Sequence, residues 1–238
     1  TGEDTDAANL IDVKGVNLGA FDKEGKNILM LAIEKGHDQT VQRLLPKLNM
    51  TDINRRDSSG TSALLLSIKL TKVSLADQFL CMNGIDVISV DENGQTCLML
   101  ACKNNLDQSV LKLLAKLSIE HINKSDKRDR NLFLHACEGN ADKVLSLLLE
   151  QSVKYNIDIN KTDNDGKNGF MLACWHNNEK VVSMLLEQSV KYSIDINKTD
   201  DRGKNGFMLA CWHNSEKVVS VLLEQSVKYS IDINKTDN

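Results

Sequence analysis

Two Trp-His pairs, Trp175-His176 and Trp212-His213, are the side chains in this sequence best suited to holding another molecule. An indole combines a large apolar area with one N–H donor, and Trp is enriched among the residues that dominate binding energy. Three basic residues lie shortly upstream: Lys167 before the first pair, Arg202 and Lys204 before the second. These seven residues form the candidate partner-binding set. The competing reading is that each Trp lies against the neighbouring helix and seals a joint, and one indole can do both.

Catalytic readings of the same stretch fail. Cys174 with His176, and Cys211 with His213, place a thiol and an imidazole two positions apart. On a helix such residues point in different directions, so neither pair can share a metal ion or a hydrogen bond. His135 takes the apolar position held elsewhere by Leu172 and Leu209, which reads as a hydrogen-bonded core histidine. Gly-Lys-Asn-Gly at 166–169 and 203–206 lacks the Gly-x-x-x-x-Gly-Lys-Ser/Thr pattern of a phosphate loop. With no Ser-His-Asp order, carboxylate pair or metal-spaced ligand set, no enzyme activity, metal or cofactor is expected.

The elements that must position the tryptophans are repeats. Residues 163–199 return at 200–236 with four differences in 37 positions: Asn164 becomes Asp201, Asp165 becomes Arg202, Asn178 becomes Ser215 and Met184 becomes Val221. Buried neighbours in one globular core would demand different side chains, so the chain is a tandem array. Units begin at Asp22, Asp57, Asp91, Asp126, Asp163 and Asp200, and Asp237 opens a further one. Residues 1–21 read as a partial N-terminal cap. The end at residues 237–238 reads as truncation of an array that continues, with an apolar outward face on the sixth unit.

Each unit opens on Asp-x-x-Gly, where Gly supplies positive φ, or Asp129 in the fourth unit, a residue that tolerates it. A short apolar run follows, such as Phe-Met-Leu-Ala-Cys at 170–174, and its small residues favour closely packed helix over strand. Gly36, Thr71, Asn105, Asn140, Asn177 and Asn214 then supply helix stops, with Thr71 the poorest fit. Val181, Val182, Leu185 and Leu186 mark an amphipathic second helix, and Ile-Asp-Ile-Asn leads out as an extended link. The extra residues of the fourth to sixth units fall in Gln-Ser-Val-Lys-Tyr, predicting a longer second helix or a bulged loop there.

Asp-x-x-Gly, the short Ala-Cys helix, the Gly/Asn turn, Val-Val-x-x-Leu-Leu and the closing Asp-Ile-Asn together resemble the ankyrin repeat, over essentially the whole chain. The resemblance implies an all-α solenoid of stacked helix-turn-helix units with hairpin-like turns, one domain over residues 1–238, that binds a protein or peptide. It also implies that the two residues after the small pair, Trp175-His176 and Trp212-His213, face a concave groove, and it likens Asn160, Asn197 and Asn234 to asparagines hydroxylated in some members. The family's Thr-Pro-Leu-His is replaced by Asn-Gly-Phe-Met or similar, so the first helices lose the φ that Pro would set and are expected to be looser.

Composition narrows the partner class. Twenty-nine basic and 33 acidic residues leave a net charge of −4, which gives no global pull toward nucleic acid. No apolar run approaches the ~20 residues that span a bilayer, and the start TGEDTDAANL lacks the segments of a signal peptide. Direct membrane insertion is not expected. Cys102, Cys137, Cys174 and Cys211 recur at one repeat position, too far apart to be bridged, and read as small buried hydrophobes of a reducing, cytoplasmic compartment. The Asn-Lys-Thr/Ser triplets then read as by-products of the repeat. The basic run Lys124 to Arg130 reads mainly as a solvated loop. The functional alternative to a binding module is a spacer or elastic array, or a regulatory array within a larger scaffold, channel, receptor or enzyme.

Overall fold

The computed structural model describes residues 17–234, so most of the expected N-terminal cap and Asp237 lie outside the described residues. It is all-α, with three isolated bridges in the turns and no strand among those residues. The helices fall into two compact units, residues 1–97 and 98–238.

The first unit contains α1 (Ile28–Lys35), α2 (Asp38–Leu44), a 3-10 turn (Leu45–Lys47), α3 (Met50–Ile53), α4 (Ala63–Lys69) and α5 (Val73–Leu80). Leu29, Met30, Ile33, Leu44, Leu64, Leu65, Ile68 and Phe79 form its buried core. The second unit takes α6 (Cys97–Lys103), which starts at the boundary, then α7 (Asp107–Lys116), α8 (Ile119–Ile122), α9 (Leu132–Glu138), α10 (Asp142–Tyr155), α11 (Gly169–Trp175), α12 (Glu179–Tyr192), α13 (Gly206–Trp212) and α14 (Glu216–Tyr229). First helices α9, α11 and α13 pack in one row and second helices α10, α12 and α14 in another. Each helix has one apolar stripe, and the adjacent helix pair is what buries it.

The turns explain the repeating Asp. In all six, its Oδ1 accepts the backbone N–H groups two and four residues on, at 2.8–3.0 Å. The residue three after it has positive φ, 77–87° at the glycines and 59° at Asp129. The helix stops are left-handed as well, including Thr71 at φ 54°. Successive turns are tied by backbone bonds: Asn164 N–H donates to Arg128 O at 3.0 Å and Asp201 N–H to Asp165 O at 3.0 Å.

Four of the six first helices start on a capping asparagine instead of Thr-Pro, and α4 on Ser62. Asn168 Oδ1 accepts the Met171 N–H at 3.0 Å, while its Nδ2 donates to Asp195 O at 2.7 Å. Asn27, Asn131 and Asn205 do the same. One amide thus satisfies an orphan helix N–H and ties the helix start to the link that follows, supplying by hydrogen bonds the order that Pro would give through φ.

The longer units extend the second helix. α10, α12 and α14 have 14 residues each, against ten for α7 and eight for α5, and end on left-handed Asn156, Ser193 and Ser230. The extended link is corrected in the first and third units: Asp52 and Ile53 lie in α3, capped by Asn49, and Ser118 caps α8 in the same way. Cys97, Cys102, Cys137 and Cys174 are buried free thiols. Burial pushes Cys97 up to about 12, and Cys102, Cys137 and Cys174 higher still. Cys211 departs from the expected pattern, being exposed, as is Leu223, where the fifth-unit counterparts Cys174 and Leu186 are buried. No described helix covers that side of the sixth repeat.

Candidate functional site

The turn Asp holds the backbone of the residue four positions on, and that residue's side chain reaches the last turn of the first helix, eight residues further along. In the first repeat Lys26 Nζ lies 3.1 Å from Glu34, and in the fourth Arg130 Nη1 lies 2.7 Å from Glu138. In the last two repeats the helix partner is an indole: Lys167 Nζ is 5.0 Å from the Trp175 ring centroid and Lys204 Nζ is 3.4 Å from that of Trp212. Where the helix residue is itself Lys, at Lys69 and Lys103, the turn residue is uncharged Thr61 or Gln95. Every cation at this turn position therefore meets a carboxylate or a ring face, both of which attract it.

Between the fifth and sixth repeats these side chains open a cleft of about 210 Å³, lined among others by Lys167, Trp175, Arg202, Lys204 and Trp212. Five of the seven residues singled out from sequence thus lie together. His213 joins them by stacking on Trp175, ring centroids 3.8 Å apart and tilted by 34°. His176, just after α11, is only partly covered; that partial burial, with Lys103, His213 and Arg130, lowers its pKa against the pull of Glu138.

The two tryptophans are not equivalent. Trp175 is half-buried, covered by His213 from the next repeat and by Lys167, so it seals the joint between repeats. Trp212 is 71% exposed and touches Lys204 on its ring. Lys167, one of the candidate partner-binding residues, is only 7% exposed, its ammonium 2.7 Å from Asp165. That bond, helped by Arg128 and Arg202, holds the Asp165 carboxyl below the usual range.

In the basic run Lys124 to Arg130, Lys124, Lys127 and Arg128 are exposed, as expected of a solvated loop, but Arg130 is buried in an ionic cluster that composition did not reveal. Asp126 Oδ2 accepts from Arg130 Nε at 2.9 Å and lies 3.0 Å from His135 Nε2, while Glu138 takes Arg130 and, at 2.9 Å, Lys103. Burial works against the Asp126 charge, yet the bonds from His135 and Arg130 hold its pKa far below the usual range. Burial dominates at His135 and lowers its pKa, although Asp126 pulls the other way. His135 is, as expected, a core histidine with a hydrogen bond. In the fifth repeat Leu172 replaces it and Lys167 turns to Asp165, which leaves Asp163 Oδ2 buried without a partner.

Among the described residues no group of three or more His, Cys, Asp or Glu side chains is placed to hold a metal ion, and no helix is long and apolar enough to cross a membrane. What the cleft offers is contact: an exposed indole, cations beside it, and a scaffold fixed by turn and cap hydrogen bonds. The family model described as ankyrin repeats, in three copies, matches residues 2–91, 71–160 and 151–237. Turn, helix pair, repeat period and these matches agree along nearly the whole sequence, and the chain belongs to the ankyrin-repeat family.

Proposed function

We propose that this chain is a non-catalytic protein-interaction module that docks a protein or peptide segment at the cleft between its fifth and sixth repeats, with Trp212 as the apolar anchor and Lys167, Trp175, His176, Arg202, Lys204 and His213 around it. Ankyrin repeats are generally protein-interaction modules, which supports the class. The observation that carries the position is the 71% exposure of Trp212 beside a cleft lined by five of the candidate residues. Exposed Trp next to charged groups is the composition of binding hot spots. Turn and cap bonds hold the walls in place before any partner arrives, so little ordering entropy is lost on docking. Four buried free thiols support an intracellular, reducing compartment as the setting.

The test is a displayed library of random dodecapeptides panned on the full chain, with the Trp212→Ala variant in parallel. Enrichment on the wild type that is lost on the variant, at unchanged melting temperature, is the expected result. Absence of any enrichment, or equal enrichment on both proteins, contradicts the proposal.

A further inference from the structure

We infer that the segment this cleft receives is acidic, carrying Asp or Glu side chains beside an apolar residue, and that Arg202 and Lys204 select it; this rests on the cleft being a docking surface. The two nearly identical repeats act as an internal control. In the fifth, Asp165 occupies the third position of the turn and neutralises Lys167 at 2.7 Å, with Arg128 Nη2 also 3.4 Å away. In the sixth the same position is Arg202. One replacement removes the carboxylate from Lys204 and adds a second cation two residues from it.

Neither Arg202 nor Lys204 has a carboxylate at ion-pair distance among the described residues, and Lys204 lies on Trp212 instead. Formal charge in the lining balances, since Asp165, Asp200 and Asp201 face Lys167, Arg202 and Lys204. Placement does not balance. Asp165 is shared by Lys167 and Arg128, with Arg202 near enough to feel its charge but beyond ion-pair distance; Asp200 Oδ1 accepts the backbone N–H groups of Arg202 and Lys204; and Asp201 packs beside Gly166 of the preceding turn. Asp165 is occupied within the protein, whereas Arg202 has no ion-pair partner among the described residues and Lys204 meets only the Trp212 ring. A guanidinium fork binds a carboxylate through two parallel bonds, and the adjacent indole displaces water and strengthens the attraction. The exposed Trp212 ring supplies the apolar half of the recognition.

The experiment reads the composition of the selected dodecapeptides and the affinity of one of them for three proteins: the full chain, Arg202→Asp and Lys204→Gln. Arg202→Asp introduces the residue that the fifth repeat carries in the same turn, so it is expected to fold, with circular dichroism as the check; should it fail to fold, Lys204→Gln alone carries the comparison. Enrichment of Asp and Glu, binding that weakens with added salt, and at least a tenfold loss on Arg202→Asp are expected. Selected peptides without acidic enrichment, or acidic peptides that bind both variants as tightly as the wild type, overturn this inference and leave the docking surface standing. Failure to select any peptide removes the docking surface and this inference with it.

Discussion

Replacing Gly169 by Ala tests how the first helices are brought together. Gly169 opens α11 with its Cα against the preceding repeat, where an added Cβ would lie 2.8 Å from Cys137 Sγ and 3.0 Å from Phe133 Cε1. Carbon contacts prefer ~3.5–4.0 Å, and overpacking of this kind costs about 1–3 kcal/mol. Loss of glycine's freedom in the unfolded chain returns about 0.4–1 kcal/mol. The net expectation is destabilisation by about 1–2 kcal/mol, seen as a lower urea midpoint with an unchanged slope. Bulk alternates across this joint: Gly169 follows Phe133 and Gly206 follows Phe170, whereas Leu98 is followed by Leu132. Phe133→Leu therefore makes room, and Gly169→Ala with Phe133→Leu should cost at least 0.5 kcal/mol less than the sum of the single changes. A Gly169→Ala midpoint at or above wild type, or strict additivity in the double variant, refutes the Phe-Gly complementarity.

Three further expectations follow from individual contacts. Asn178 Nδ2 bonds Cys137 O at 2.7 Å and Glu138 O at 2.9 Å, whereas Ser215, its sixth-repeat counterpart, has a buried Oγ with no partner. Ser215→Asn should raise stability by about 1–2 kcal/mol by restoring such bonds, and an unchanged or lower melting temperature counts against it. Trp175→Ala should cost about 2 kcal/mol through loss of the half-buried stack on His213, whereas Trp212→Ala should stay within about 0.5 kcal/mol; equal losses in chemical denaturation contradict the division between sealing and contact. Burial lowers the folded pKa of His135 from 6.5, with Asp126, Glu138 and Arg130 facing it, so unfolding takes up a proton. Its stabilising contribution is complete above pH 6.5 and declines as pH falls below that value. His135→Leu should flatten stability between about pH 7 and 5, leaving the part due to His176, and the same slope as wild type would remove His135 from the account.

Much of the fold was legible because backbone requirements leave local marks. Asp129 and Thr71 stand where the pattern demands a left-handed residue, and both adopt it. Val181, Val182, Leu185 and Leu186 at helical offsets announced the second helix, and all four are buried. Arg130 and Lys167 were less legible, because charge in a turn suggests solvent. Their partners, Glu138 and Trp175, lie eight positions away across a turn-to-helix junction, a spacing that belongs to neither helix nor strand. Asn168 carried a local signal, its Oδ1 on the N–H three residues on, and only its second bond, to a carbonyl 27 residues on, lay beyond a reading of the sequence. Asn49 and Ser118 carried the same signal, a capping side chain bound to the N–H three residues later, which places short helices where an extended link was expected. The candidate cleft was legible in its residue types, since Trp and Lys recur at one period. Which Trp seals and which is open was not, because that depends on what the next repeat places against the ring.

The most direct test is to titrate a library-selected dodecapeptide into isotopically labelled full-length chain and follow its backbone amide and indole N–H resonances. The account predicts that shifts concentrate at Lys167, Trp175, Arg202, Lys204 and Trp212, with the Trp212 indole moving furthest. Shifts centred on the exposed outer row of Val153, Val190 and Val227, with the Trp212 indole unmoved, would contradict it.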